Sequence, residues 1–415
     1  ENRIGNGDGS GVFAAIDGST VTAGGDVDVL AKMDDATIDA TVVALSVAIA
    51  GGAVAGAAAG SGSDALNAID YAVIAEIDDS GVTASGNTVT VDAQDNSVID
   101  SFVGAASVAG SAGLVGGSVS IAVGLSENSV DNTIRAQVDN SDVTAADLAV
   151  NAEDDSDTYA AAAAAAVSAS ISLGFSVAGA GTEVRGRNSS TTEALVSGSG
   201  TDDVITLSGD MSVTAEARPR VEAETVTASL SLGFAAFGAA GSFVDLDVTP
   251  EVTASVTGVQ VDATDVAIGA TSRAMADGFA VGVSLASGFA ASANFVDVLV
   301  ASDVTATGGG TMTVDTLSVE ARTDEFNNNT NAIAEAHAAA GGLIGATSTL
   351  AETRVEDNVT AQIGANADIT ALIVVDVAAI ADSSQYADAN SAAFGLVGIG
   401  ASIANADADV SSTAR

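Results

Sequence analysis

Val167-Ser-Ala-Ser-Ile171-Ser-Leu173-Gly-Phe175-Ser-Val177-Ala-Gly-Ala180 is the stretch whose reading decides the fold. Ile171, Leu173, Phe175 and Val177 alternate with Ser172, Gly174 and Ser176, the period-2 pattern of a strand with one bulky and one small face. The text returns as Ser229-Leu-Ser-Leu232-Gly-Phe234 and, more loosely, as Val281-Gly-Val283-Ser-Leu285-Ala-Ser-Gly-Phe289. Val43, Leu45, Val47 and Ile49 form an earlier version, as do Val119, Ile121, Val123 and Leu125. Val397, Ile399, Ala401 and Ile403 form a late one. The alignment puts Phe175, Phe234 and Phe289 in one ladder, expected to fill gaps in a thin interior.

A shorter strand of the form apolar-x-apolar-x-Ala precedes each long one. Its copies are centred on Val29, Val91, Val150, Val213, Ile268, Val319 and Val377, at successive spacings of 62, 59, 63, 55, 51 and 58. Ahead of it lies an acidic turn, as in Ile16-Asp-Gly-Ser-Thr-Val-Thr-Ala23, Ile77-Asp-Asp-Ser-Gly-Val-Thr-Ala84 and Val138-Asp-Asn-Ser-Asp-Val-Thr-Ala145. A fixed period of this length is the signature of stacked units. The expected fold is all-β, a tandem-repeat, β-helix-like solenoid of about seven units of roughly 51–63 residues. Residues 14–415 read as one continuous array without an internal boundary. Residues 1–13 are a Gly-rich lead, a candidate contact between subunits. Ala160 to Ala166 has helical propensity, yet it occupies the place of Gly104-Ala-Ala-Ser-Val-Ala109 and reads as extended. Around 188–210 the acidic-turn element gives way to an insertion or longer loop, and 323–330 is the most polar patch.

Composition narrows the functional classes. Eleven Lys and Arg stand against 55 Asp and Glu, a formal net charge of −44 with a sequence pI near 4.1, and Lys32 is the only lysine. A hydrophobic fraction of 47% with clear periodicity excludes reading this acidity as disorder. Such self-repulsion requires salt or bound cations, as in halophilic or cation-rich extracellular settings. Without a basic stripe, nucleic acid is excluded as a partner. The absence of cysteine fits an extracellular chain.

Charge-free runs occur at 40–63, 101–126, 158–182, 226–244, 278–296, 338–351 and 389–406. They argue against membrane helices, since they are mostly Ala, Gly and Ser and their bulky residues alternate. Three tyrosines are too few for the aromatic girdles of a membrane barrel. No transmembrane insertion is expected.

The three-part unit, seen best in Ile77 to Ala93 and Thr133 to Ala152, resembles the repeat region of giant bacterial surface adhesins of the filamentous-haemagglutinin and leukotoxin-like filamentous-adhesin type. The resemblance implies a secreted β-solenoid shaft devoted to reach, attachment or fibre formation. Acidity and lysine scarcity depart from that pattern.

No catalytic constellation stands out. His337 is the only histidine, so neither a Ser-His-Asp triad nor a histidine metal cluster can be assembled. Asp154-Asp155 could serve glycosidase chemistry but reads as a solvated turn. Arg185, Arg187, Arg218 and Arg220 are expected to pair with acidic turns. Calcium is the one ligand worth carrying: Asp17, Asp78, Asp79, Asp139 and Asp142 recur in equivalent turns, and stacked carboxylates demand neutralisation. Cofactors are otherwise expected to be absent. Asn188, Asn328 and Asn358 open glycosylation sequons. The expected function is an extracellular, non-enzymatic structural one, at the cell surface: an adhesin shaft or the subunit of a head-to-tail filament. Partners are further copies, end to end or side by side, and a host, cell or matrix surface. A carbohydrate- or surface-binding module is the alternative, and a polysaccharide-cleaving solenoid enzyme ranks third.

Overall fold

A computed structural model describes residues 1–5, 10–171, 173–199, 203–326 and 330–415. Strands make up 84% of the structure and no helix occurs among the described residues, so the chain is all-β. Two large parallel sheets, of 14 and 15 strands, hold these strands. Parallel pairing needs a long crossover between neighbours, and here the spacing of the sequence motifs supplies it. Val29 pairs with Val91, Val91 with Val150, Val150 with Val213, Val213 with Ile268, Ile268 with Val319 and Val319 with Val377. In the 15-stranded sheet, Asp142–Asp154, Val204–Leu207, Gln260–Asp262, Thr311–Thr323, Asp265–Ser272 and Met211–Ala217 close a six-membered parallel ring. The ring exists because the first and fourth of these run unbroken through two rows that are split in the strands between them. The architecture is therefore large parallel sheets with one closed ring.

The apolar core lies under the short strands. Val91, Ala93, Val150, Val213 and Ile268 are at most 1% exposed and face Val73, Ile77, Ile134 and Val138. Polar residues such as Asp28 alternate outward, the usual arrangement for a half-buried strand. Each fully buried Val or Ile contributes roughly 1.5–3 kcal/mol.

The long charge-free strands pack the other way round. At their base Val103, Val184, Val221, Val244 and Leu246 still form a buried apolar cluster, but between 104–112 and 115–126 the inward side chains are the small ones, including Ser107, Ala109, Ser120 and Ala122. Ser107 and Ser120 hydroxyls meet across the two sheets at 2.6 Å, Ser118 and Ser168 at 2.7 Å, and Ser176 and Ser231 at 2.7 Å. A Cβ on Gly238 would lie 2.8 Å from Ser284 Oγ, so the sheets come too close for a large residue. The bulky partners face out. Phe175 is 52% exposed, Phe234 80% and Phe289 38%, which corrects the expectation of an interior phenylalanine ladder. Nor do the three align: Phe175 stands opposite Ala235, while Phe289 stands opposite Phe237.

Ala160 to Ala166 is extended within Asp157–Ile171. The acidic-turn strand is not replaced after 188, because Thr191–Ser197 pairs residue for residue with Thr133–Asp139. The additional residues follow Ser197, and 200–202 lie outside the described residues. Asn2–Gly5 pairs with 67–70 and Gly11–Asp17 with Ala72–Asp78, so the Gly-rich lead contributes two strands to the 14-stranded sheet. Asn6 to Gly9 are outside the described residues.

Candidate functional site

The five candidate aspartates separate into a row and two outliers. Asp17, Asp78 and Asp139 are successive partners in parallel strands. The next residue in each chain segment, Gly18, Asp79 or Asn140, takes a left-handed conformation, with φ of 54°, 44° and 43°. That conformation suits Gly, Asn and Asp. Ser19, Ser80 and Ser141 then donate their hydroxyls to the carbonyls of Asp17, Asp78 and Asp139 at 2.8, 2.6 and 2.6 Å. Ser80 Oγ accepts from the Ser19 amide at 3.0 Å, and Ser141 Oγ from the Ser80 amide at 3.0 Å. Serine thus knits each turn to the next. Burial and the neighbouring Asp79, Asp139 and Asp17 carboxylates raise the Asp78 carboxyl above its ordinary range. Asp139 accepts from Asn140 Nδ2 and Ser197 Oγ. Asp79 sits exposed in the turn, and Asp142 lies opposite Gly81, accepting the Val204 amide. Among the described residues no three His, Asp or Glu groups are arranged to hold a metal ion.

A second acidic pair is sealed inside. Asp95 and Asp154 are register partners, 2% and 0% exposed, between the apolar core and the small-residue sandwich. Asp95 accepts the Tyr71 hydroxyl, Asn132 Nδ2 at 2.7 Å and Ser97 Oγ at 3.1 Å. Neither oxygen of Asp154 has a well-formed hydrogen bond, and the Ser156 hydroxyl and amide offset its burial only in part. Burial and the Asp95 charge therefore raise the Asp154 carboxyl far above the ordinary range. Burial and Asp95 also raise Tyr71. Asn67 and Asn128 form a related buried ladder. Asn2 donates to Asn67, and Asn67 to Asn128, each at 2.8 Å. Their 61-residue separation, close to the spacing of the Val29, Val91 and Val150 motifs, was the available sequence signal for this ladder.

A groove of about 410 Å³ on the outer face of the 15-stranded sheet gathers Tyr159, Glu222, Glu224, Asp277, Phe279 and Glu335. Burial, then Glu222 and Glu335, push the Asp277 carboxyl up to about 6 against the opposing Arg220. Proximity in sequence gives no hint of this cluster, which parallel stacking assembles from 159, 222–224, 277–279 and 335. His337 packs edge-on against Phe279, ring centroids 5.6 Å apart.

Arg185, Arg187, Arg218 and Arg220 pair with Glu183, Asp247, Glu153 and Asp157 respectively, among other carboxylates. Asn188 is 1% exposed and donates to Ser156 Oγ, which removes it from the accessible sequons; Asn358 is exposed, and Asn328 lies outside the described residues. Comparison with protein-family models, curated proteins and solved structures finds no match.

Proposed function

We propose that the chain is a non-enzymatic structural module: a β-solenoid of about seven coils, in an extracellular adhesin shaft or a head-to-tail surface filament. The observation that carries this reading is register. The motif centres at Val29, Val91, Val150, Val213, Ile268, Val319 and Val377 are consecutive partners in one ladder, as coils stacked along an axis require. The six-membered ring fits within that scheme as two adjacent rows joined where 142–154 and 311–323 cross both.

Seven coils at the inter-strand spacing rise only about 34 Å, whereas a continuous strand such as 89–112 extends up to about 80 Å. One chain is therefore a broad, short slab, and reach comes from stacking slabs. The acidic turns keep the slabs soluble and draw cations to the Asp17–Asp78–Asp139 row. Negative-stain electron microscopy in molar salt, with and without a calcium chelator, tests the reading. Ribbons of uniform width support a filament subunit, and their dissolution by chelator adds calcium as the joint. Isolated slabs of these proportions support a shaft segment, and compact spherical particles overturn the solenoid. If Gly-rich residues 1–13 carry the joint, deleting them abolishes ribbons while far-UV circular dichroism loses only the small strand signal of Asn2–Gly5 and of 11–13.

The groove with Tyr159 and Phe279 beside four carboxylates favours a second reading, a carbohydrate-binding surface. Binding of a soluble polysaccharide that disappears in Tyr159→Ala would support it.

A further inference from the structure

We propose that the charge-free half of the molecule is a blade that enters the hydrocarbon layer of a lipid membrane, tip first, while the acidic half remains in water. The inverted packing of the long strands is the starting point. Small and hydroxyl side chains are turned inward, several serines bonding one another, whereas bulky apolar side chains interspersed with Ala and Gly make up both outer faces and the edge. Ile121 is 50% exposed on one face, Phe102 42% and Leu285 48% on the other, and Leu114, Phe234 and Leu396 are 76–84% exposed along the tip. Isolated exposed hydrophobics are ordinary, but a continuous surface of this extent marks a contact.

The blade has an upper border two outward rows deep on both faces. Asp100, Tyr159, Glu222 and Asp277 are successive register partners on one face, and the row continues through Ile333 to Tyr386. Glu224 and Glu335 stand one outward position further toward the tip. On the opposite face the row is Glu127, Arg185, Asp245, Asp297 and Glu352, and Asp64 and Glu183, register partners of Leu125, stand one outward position further toward the tip. Tyr159 and Tyr386, two of the three tyrosines, thus sit where charge gives way to apolar surface, the place such side chains occupy at a membrane interface.

Depth and backbone chemistry agree with this occupant. Tipward of those carboxylates, Gly104 to Ala112 and Val115 to Val123 each span eight residue steps, about 26 Å, close to a hydrocarbon layer of about 30 Å. The strip shortens toward the C-terminal coils, where Phe289 to Val296 spans about 23 Å. Lipid cannot satisfy backbone groups; the ladders satisfy those of the inner coils, and the free edges of the first and last coils must be covered by a neighbouring copy stacked in the same membrane. Even the tip turns are bonded from one coil to the next: the Leu114 amide donates to Ala53 at 3.2 Å, Gly52 to Ala112 at 3.1 Å and Leu396 to Leu343 at 3.1 Å.

A second copy is the weaker occupant. Each face measures on the order of 900 Å², enough for a dimer, but a two-fold partner would cover one face and leave the other face and the tip wet. Lipid covers all three together. The serines of these runs mostly point inward, whereas Ala and Gly occur on both sides: Ala165, Ala228, Ala235 and Ala239 stand outward between the bulky residues and leave the surface apolar and uncharged. Among the described residues no helix is long and apolar enough to cross a membrane, so strands carry the contact.

The test is flotation of the full chain with phosphatidylcholine vesicles in molar salt. The chain has no cysteine, so Leu114→Cys, Ile121→Cys and Asp28→Cys can each carry an environment-sensitive dye. The expected result is flotation with the vesicles, a blue shift at positions 114 and 121, and none at 28. The outward-facing double variant Ile121→Asp/Val123→Asp keeps its circular dichroism spectrum and floats about tenfold less or worse, given the cost of charge on a lipid-facing strand. Protein left at the bottom of the gradient overturns the proposal. So does a dye shift at 121 without lipid accompanied by a doubled mass in sedimentation, which assigns the face to a second copy. Either failure leaves the stacked-slab reading to be judged by microscopy alone.

Discussion

Asp95 and Asp154 carry the same side chain at the same register position, yet their surroundings treat them differently. Three donors favour the Asp95 anion, while Asp154 is fully buried with little compensation. A raised carboxyl means that the folded chain binds more protons than the unfolded one above the ordinary carboxylate value of about 3.9. Stability from this group is therefore highest in acid and falls as pH rises from about 4 through neutrality. Asp154→Asn is expected to flatten that slope and to raise stability at pH 8 by about 1–3 kcal/mol. Thermal unfolding from pH 4 to 9 measures it, and an unchanged slope would show that the proton resides elsewhere. Asn67→Ala leaves Asn128 Oδ1 without its 2.8 Å donor and Asn2 without its acceptor. A loss of about 1–3 kcal/mol in urea denaturation is expected. The turn aspartates could be picked from the sequence because they recur in one motif. The buried pair could not, since Asp154 and the solvated Asp155 are alike in sequence.

At the level of the strand, the two sides of one alternation make opposite predictions. Ala122 is fully buried against the facing sheet, and Ala122→Leu inserts three carbons where the sandwich is closed by Ser–Ser contacts. Overpacking of this kind costs about 1–3 kcal/mol or more. Ile121, its neighbour, points outward, and Ile121→Ser is expected to change stability by no more than about 0.5 kcal/mol. Equal costs for the two variants would mean that the inward face has been misassigned. The short strands behave conventionally: Val213→Ala removes a fully buried side chain and is expected to cost about 1–3 kcal/mol. Strand existence was legible from alternation and turn residues; strand length was not, because the short and long strands expected as separate elements run together in Val27–Gly51 and Gly81–Ala112. Nor was the persistence of Thr191–Ser197, because its Thr-Thr-Glu text lacks the acidic turn while still meeting Thr133–Asp139 in register.

For the molecule as a whole, 55 acidic side chains against 11 basic ones dominate the dependence on solution conditions. The melting temperature is expected to rise steadily with sodium chloride, since the Debye length falls from about 10 Å at 0.1 M to about 3 Å at 1 M. The screened carboxylates include the Asp17–Asp78–Asp139 row. Calcium at matched ionic strength separates diffuse screening from site binding: a further, saturable rise would assign the aspartate row a true cation site. The same segregation of charge makes the molecule two-faced, with an acidic, conventionally packed half joined to a charge-free, inverted one.

The sequence by itself determined the all-β character, the spacing that becomes the ladder register and the confinement of charge to particular segments. These follow from local alternation, turn chemistry and composition, which each residue carries wherever it is placed. Only the tertiary structure decided which side of the long strands faces in. A period-2 pattern reads the same with either face buried, and the ordinary preference for burying large apolar side chains points to the wrong one here. The choice was made by the facing sheet: Ser107 against Ser120, Ser176 against Ser231 and the close approach at Gly238 bring the backbones too near for Phe or Ile. The bulky residues were left outside.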